Sequence, residues 1–139
     1  MPPRAEFRRN RWCGGGSIVR GARGPSESTE QALLVHWLLS RGIKHFAVPN
    51  GAILGGRNRY GAIAKLKREG LLPGAPDIVL IDRAPDTGDP VAIEMKRSIG
   101  SRLSPNQRHV IAFMRLAGWR VVVGYGFTNA MQQLQALGY

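Results

Sequence analysis

A single cysteine, Cys13, excludes an internal disulfide framework, and with only three histidines in the chain no Cys/His cluster takes the spacing of a zinc site. Long apolar runs are missing too. The longest, such as Ala32 to Val35 and Val121 to Val123, fall far short of a bilayer span. The N-terminus carries arginines but no apolar stretch, which argues against a secretory leader. Its glycines and prolines argue against the amphipathic helix of a transit peptide. Acids are scarce, with 9 Asp and Glu against 20 Lys and Arg, for a net charge of +11 over 139 residues. No internal repeat is visible. What is there suffices for one domain with a core, since 43% of residues are hydrophobic and a chain of this size buries roughly two-thirds of its unfolded surface. The expected protein is small, intracellular and not secreted, with a polyanion as its preferred partner. Nucleic acid leads; an anionic membrane or mere solubility are the plainer readings of the same charge.

Residues 1–25 read as a flexible basic arm rich in Arg and Gly. They hold six arginines and one acid, Glu6, so the arm carries +5 and residues 26–139, the expected domain, carry +6. Such a segment buries too little apolar area to offset the entropy of ordering. From Ser26 the pattern becomes regular. Ser28-Thr29-Glu30-Gln31 resembles a capping box ahead of Leu33, Leu34, Trp37 and Leu38, and Gly42 ends that helix. Lys44 to Val48 predicts a strand stopped by Pro49-Asn50-Gly51, and Gly51 to Gly56 a loop. Arg57 to Glu69 predicts a helix with Tyr60, Ile63, Ala64 and Leu66 toward the core, Tyr60 serving equally well as a nucleic-acid contact. Ile78 to Asp82 and Val91 to Arg97 form a hairpin around the turn Ala84 to Pro90. Ser104-Pro105-Asn106-Gln107 starts a helix to Ala117, the strand Trp119 to Tyr125 follows, and Thr128 to Leu137 is the last helix. The order α-β-α-β-β-α-β-α implies a mixed sheet flanked by helices, an α/β fold.

Most of the acids have ordinary places. Glu6 and Glu27 sit in or beside the arm, Glu69 ends a surface helix, Asp86 and Asp89 lie in the turn, and Asp82 is expected to be exposed. Asp77 opens the first hairpin strand, while Glu94 lies inside the second with Lys96 on the same face. Antiparallel pairing brings Asp77 beside Glu94 and Lys96. Two carboxylates and an ammonium at one sheet end suit a hard cation that holds a phosphate oxygen, with Lys96 orienting or deprotonating water or stabilising charge. Each motif alone has a plainer reading: Glu-Lys is a common solvated pair, and Pro85-Asp86 shows Pro-Asp as a mere turn. Glu30 is either a favourable charge at a helix N-terminus or a third element of this site.

Pro76-Asp77 followed by Glu94-Met95-Lys96 resembles the PD-(D/E)XK nuclease signature. With Pro49-Asn50-Gly51, Leu66-Lys67-Arg68-Glu69-Gly70, Pro73-Gly74-Ala75-Pro76-Asp77 and Leu103-Ser104-Pro105-Asn106-Gln107, the pattern resembles the VRR-NUC family across most of residues 28–125. The likeness is to a compact stand-alone member of the kind found in phages and bacteria. It implies a restriction-endonuclease-like core and location in the cytoplasm of a bacterium or phage-infected host. It also implies Mg²⁺ or Mn²⁺ held by Asp77, Glu94, the carbonyl of Met95 and Glu30, with Lys96 catalytic. Gln107 then positions water or Lys96, beside its capping role. Homodimerisation, cleavage of branched DNA such as four-way (Holliday) junctions, and 5′-phosphate ends are implied as well. No small-molecule cofactor is expected.

The basic residues gain an address from this. Arg57, Arg59, Lys65, Lys67 and Arg68 share one expected helix, and Arg97, Arg102 and Arg108 flank the site. Contacts from such residues position a duplex without reading its sequence. Arg115 and Arg120 read as solvated, and His36, His45 and His109 as core or surface residues. The expected function is a metal-dependent, structure-selective DNA endonuclease. The alternatives are a non-catalytic nucleic-acid-binding module on the same fold, a nuclease nicking flaps or duplex, and a basic protein docking on an acidic protein or membrane.

Overall fold

The computed structural model describes residues 24–49 and 59–139. The expected arm apart from Gly24 and Pro25, the loop Gly51 to Gly56, and Arg57 lie outside the described residues. The described elements follow the expected order: α1 (Glu27–Ser40), β1 (His45–Ala47), α2 (Arg59–Arg68), β2 (Ile78–Leu80), β3 (Val91–Lys96), α3 (Pro105–Leu116), β4 (Arg120–Tyr125) and α4 (Phe127–Ala136).

α1 starts earlier than the sequence suggested. Its N-cap is Ser26, extended at φ −66° and ψ 157°, whose Oγ accepts from the Thr29 N–H at 3.1 Å. Ser28 lies inside the helix. Either serine can satisfy an orphan N–H of the first turn; the earlier one follows Pro25 and draws Glu27 into that turn, where negative charge is favoured. Leu34 and Leu38 then point inward with Glu30, while Trp37 is half-buried beneath the Arg41 guanidinium, 5.6 Å from the ring centre.

The sheet runs β1-β2-β3-β4. β1 pairs antiparallel with β2, β2 antiparallel with β3 (Ile78 opposite Ile93), and β3 parallel with β4 (Glu94 opposite Val123). The parallel pair needs a crossover, and α3 supplies it. Val91, Ile93 and Met95 of β3 join Leu34 and Leu38 of α1, Ile78 and Leu80 of β2, Val122 of β4, and Ala130 and Leu134 of α4 in one core. Alternation turns Ala92, Glu94 and Lys96 to the other face, where α3 packs against β4 and buries Val110 and Ile111. β3 is therefore buried along its whole length, charged residues included.

α2 departs from its expected packing. Ile63 and Leu66 are half-buried, but Ala64 is exposed and Tyr60 is 88% exposed, because the helix is charged over most of its circumference. Asp82 departs as well: it is half-buried, and its Oδ2 accepts from the Lys44 N–H at 2.7 Å. The outer rim of β4 is occupied by side chains. Arg115 donates to the Val121 carbonyl at 3.0 Å, Gln133 donates to the Val123 carbonyl at 3.0 Å, and Asn129 Oδ1 accepts from the Tyr125 N–H at 3.1 Å. Among the described residues, no helix is long and apolar enough to cross a membrane.

Candidate active site

The site forms where three chain segments meet the end of β3. Gly74 makes the first approach possible: at φ +90° it lies so close to α3 that a Cβ would come within 2.5 Å of the Asn106 backbone. Pressed there, Gly74-Ala75-Pro76 delivers Asp77 to the head of β2. The Asp77 carbonyl accepts from the Val48 N–H at 2.8 Å, and its Oδ2 accepts from the Met95 N–H at 2.8 Å. Asp77 is thus held from both neighbouring strands.

Glu94 is fully buried. Its Oε1 accepts from Lys96 Nζ at 2.6 Å and from Gln107 Nε2, while its Oε2 has no partner among the described residues. Lys96 Nζ also donates to Glu27 Oε1 at 2.9 Å and to the Met95 carbonyl at 3.1 Å, which uses all three ammonium protons. Glu27, Asp77 and Glu94 each bring a carboxylate oxygen within 4.8 Å of the others.

Electrostatics follow from this crowding. Burial pushes the Glu94 carboxyl up to about 7; the Lys96 hydrogen bond opposes the rise and the Asp77 charge adds to it. Burial raises Asp77 as well, against the pull of the Met95 N–H and Lys96. For Lys96 burial works downward, but hydrogen bonds to Glu27 and Glu94 outweigh it, and the ammonium is held above its usual range. The three acids and the Met95 carbonyl offer oxygen donors around the Lys96 ammonium, and Glu94 keeps a buried oxygen unspent. Those are the donors a hard divalent cation takes.

The expected residues Asp77, Glu94, Met95, Lys96 and Gln107 therefore come together. Glu30 does not join them, and the expectation for it is corrected. It is buried, and its Oε2 accepts from the Phe127 N–H at 2.7 Å, closing the N-terminus of α4. The carboxylate that α1 brings to the cluster is Glu27. With the cap at Ser26 rather than Ser28, Glu27 belongs to the first turn and reaches Lys96. Pro25-Ser26 was the available signal.

Gln107 caps α3 as expected, and its amide bonds to Glu94 where Lys96 or a water was expected. Its Oε1 accepts from the Ser104 N–H at 2.8 Å, and Ser104 Oγ accepts from the Gln107 N–H at 3.2 Å, a complete capping box. The other end of the same amide reaches Glu94.

Among the basic residues, Lys65, Lys67, Arg68, Arg97, Arg102 and Arg108 are exposed. Lys65 lies 3.7 Å from Glu69. Arg59 opens α2. Arg115 serves the β4 rim, and Arg120 pairs with Asp89 at 3.0 Å. His36 is exposed, His45 Nδ1 lies 2.9 Å from the Ile43 carbonyl, and His109 stacks edge-on with Phe113.

No curated protein matches the chain. A solved structure described as a VRR_NUC domain protein superposes with a TM-score of 0.68 at 22% identity, covering 83% of this chain and 89% of that one, and so shares its fold. The family model of the VRR-NUC domain matches residues 26–128 and takes in all the residues gathered at this site. A match over that much of the chain places it: the protein belongs to the VRR-NUC family, within the PD-(D/E)XK nuclease superfamily.

Proposed function

We propose that this nuclease domain is a Mg²⁺- or Mn²⁺-dependent endonuclease acting on branched DNA, with Asp77, Glu94, Glu27 and the Met95 carbonyl as its metal-holding set. The observation that carries the reading is Glu94: a fully buried carboxylate with one oxygen unpartnered, in reach of two more acids. A buried carboxylate oxygen left without a partner is costly, and a hard cation would satisfy it. The residues present fit a hard divalent ion, which when bound would supply positive charge to the scissile phosphate.

The chain's own side chains do the rest. Asp77 locks the Met95 N–H, so the Met95 carbonyl keeps its direction toward the cluster. Gln107, anchored in its capping box, fixes Glu94 Oε1. Lys96 is held protonated, which favours it as a donor to the phosphate oxygen that gains charge in the transition state rather than as a base. Water oxygen bonds to phosphorus, the bond from phosphorus to the 3′-oxygen breaks, and the products are a 3′-hydroxyl and a 5′-phosphate. Residues 1–25 serve as a basic tether and residues 26–139 as the nuclease domain. A symmetric four-way junction needs paired cuts, which favours a homodimer.

The test is cleavage of labelled four-way junction, flap, duplex and single strand with magnesium, comparing wild type with Asp77→Asn, Glu94→Gln and Glu27→Gln. Each variant is expected to lose roughly a hundredfold or more in rate, while DNA binding persists because removing a carboxylate lowers repulsion toward phosphate. Full activity in both Asp77→Asn and Glu94→Gln overturns the metal-site reading. Preference for flap or duplex replaces the junction with those substrates.

A further inference from the structure

Residues 97–104 link β3 to α3, and both ends of this loop are committed to the site. Lys96 precedes it, and Ser104 caps the helix whose Gln107 holds Glu94. The base of the loop is close-packed. At Gly126, with φ +84°, a Cβ would meet the Ser98 Cβ at 3.1 Å; at Gly24 it would meet the Ser98 Oγ at 3.4 Å. The tip is free of such packing. Gly100 turns the chain at φ +74°, and a Cβ there would meet nothing within 4 Å. Beside it Ile99 is 77% exposed, between the exposed Arg97 and Arg102. Neither the core nor the chemistry derived above uses this isoleucine, which leaves its apolar surface in water.

We infer that Ile99 is a wedge that enters between neighbouring base pairs beside the scissile phosphate, with Arg97 and Arg102 gripping the phosphates around it. The inference rests on the nuclease reading above and names the feature of DNA that this loop selects. Reach supports it: Ile99 follows Lys96 by three residues, at most about 10 Å of chain, or about three base steps at ~3.4 Å per step along one strand. Chemistry supports it too. Apolar wedges unstack a base step and are held by cationic neighbours. A β-branched side chain is stiff at χ1, so little entropy is lost as it enters. The two arginines select a phosphate-lined partner over an apolar protein groove. Unstacking costs least where stacking is already interrupted. The wedge therefore gives a physical cause for preferring branch points, without reading base sequence.

The test uses the full chain carrying Asp77→Asn, with DNA bearing 2-aminopurine at successive steps around the cut. Binding is expected to raise the fluorescence severalfold at one or two steps. Adding Ile99→Ala abolishes the rise while affinity changes by less than about threefold, since the phosphate contacts remain. In the otherwise wild-type chain, Ile99→Ala is expected to slow cleavage of fully stacked DNA about tenfold, with the rate recovered when a mismatch is built in at the cut. Fluorescence unchanged at every step, or an equal slowing on mismatched and matched DNA, overturns the wedge. If wild type cuts and Ile99→Ala cuts equally well, the wedge alone fails. A wild type that cuts no DNA with either metal overturns the nuclease reading, and the wedge with it.

Discussion

Glu94 links the geometry of the site to a property of the whole protein, its dependence on pH. The folded state holds the Glu94 proton up to about pH 7, whereas an ordinary glutamate releases it near 4.5. The native state therefore binds more protons than the unfolded chain across that window, and stability falls as pH rises through it. Asp77 is displaced in the same direction and adds to the slope. Lys96 is raised above its usual range and keeps its charge throughout, so it contributes no slope there. In chelator, denaturant unfolding is expected to show wild type losing on the order of a few kcal/mol between about pH 5 and pH 8, while Glu94→Gln loses much less. A wild type whose stability is flat or rises over this range contradicts the assignment. The same residue is the reason divalent cations are expected to stabilise the protein near neutral pH, since Glu94 keeps a buried oxygen without a partner among the described residues.

At the scale of elements, α1 is tied to α4 by Glu30, whose buried carboxylate closes the α4 N-terminus across 97 positions of sequence. Glu30→Ala removes a charge-assisted hydrogen bond and leaves the part-buried Phe127 N–H unpaired, so a loss of about 2 kcal/mol is expected in urea unfolding. Glu30→Gln retains an acceptor and should recover part of it. Cleavage should fall in Glu30→Ala at temperatures where the protein is still folded, because Glu27 rides on the same helix. The two glutamates also mark how far this site was legible from residues alone. That Asp77 meets Glu94 and Lys96 is legible because alternation along a strand and antiparallel pairing across a hairpin leave little freedom. Gln107 was legible as a cap, since Ser104-Pro105 fixes the start of α3. α1 offered two serines two residues apart, each able to cap, and only the earlier makes Glu27 helical, one turn before Glu30. The choice between them depends on what the first turn meets in space, which no local pattern states. For the same reason Tyr60 pointed to either of two roles: an aromatic at helical spacing does not reveal whether a partner surface exists, and here the ring is exposed.

At the scale of the molecule, the +11 charge divides between the arm and the domain. Removing residues 1–25 takes away +5 and is expected to lower the slope of log affinity for duplex against log salt by up to about 4. The catalytic rate at saturating DNA should stay within a few-fold of the full chain. Binding titrations over a salt series check this, and an unchanged slope means the arm makes no phosphate contacts. The folded part becomes more basic in effect once a cation offsets its acidic cluster, so affinity for DNA should rise with magnesium at fixed ionic strength.

The side chains along the outer rim of β4 bear on how such a molecule behaves at high concentration. Exposed sheet borders recruit further strands, and runs of them nucleate fibrils. Here Arg115, Gln133 and Asn129 already occupy the Val121 and Val123 carbonyls and the Tyr125 amide. A newcomer would have to strip three existing bonds before forming its first. Growth of the sheet in that direction is blocked by the protein's own polar side chains, and copies crowded together on one DNA molecule can remain separate units on that side.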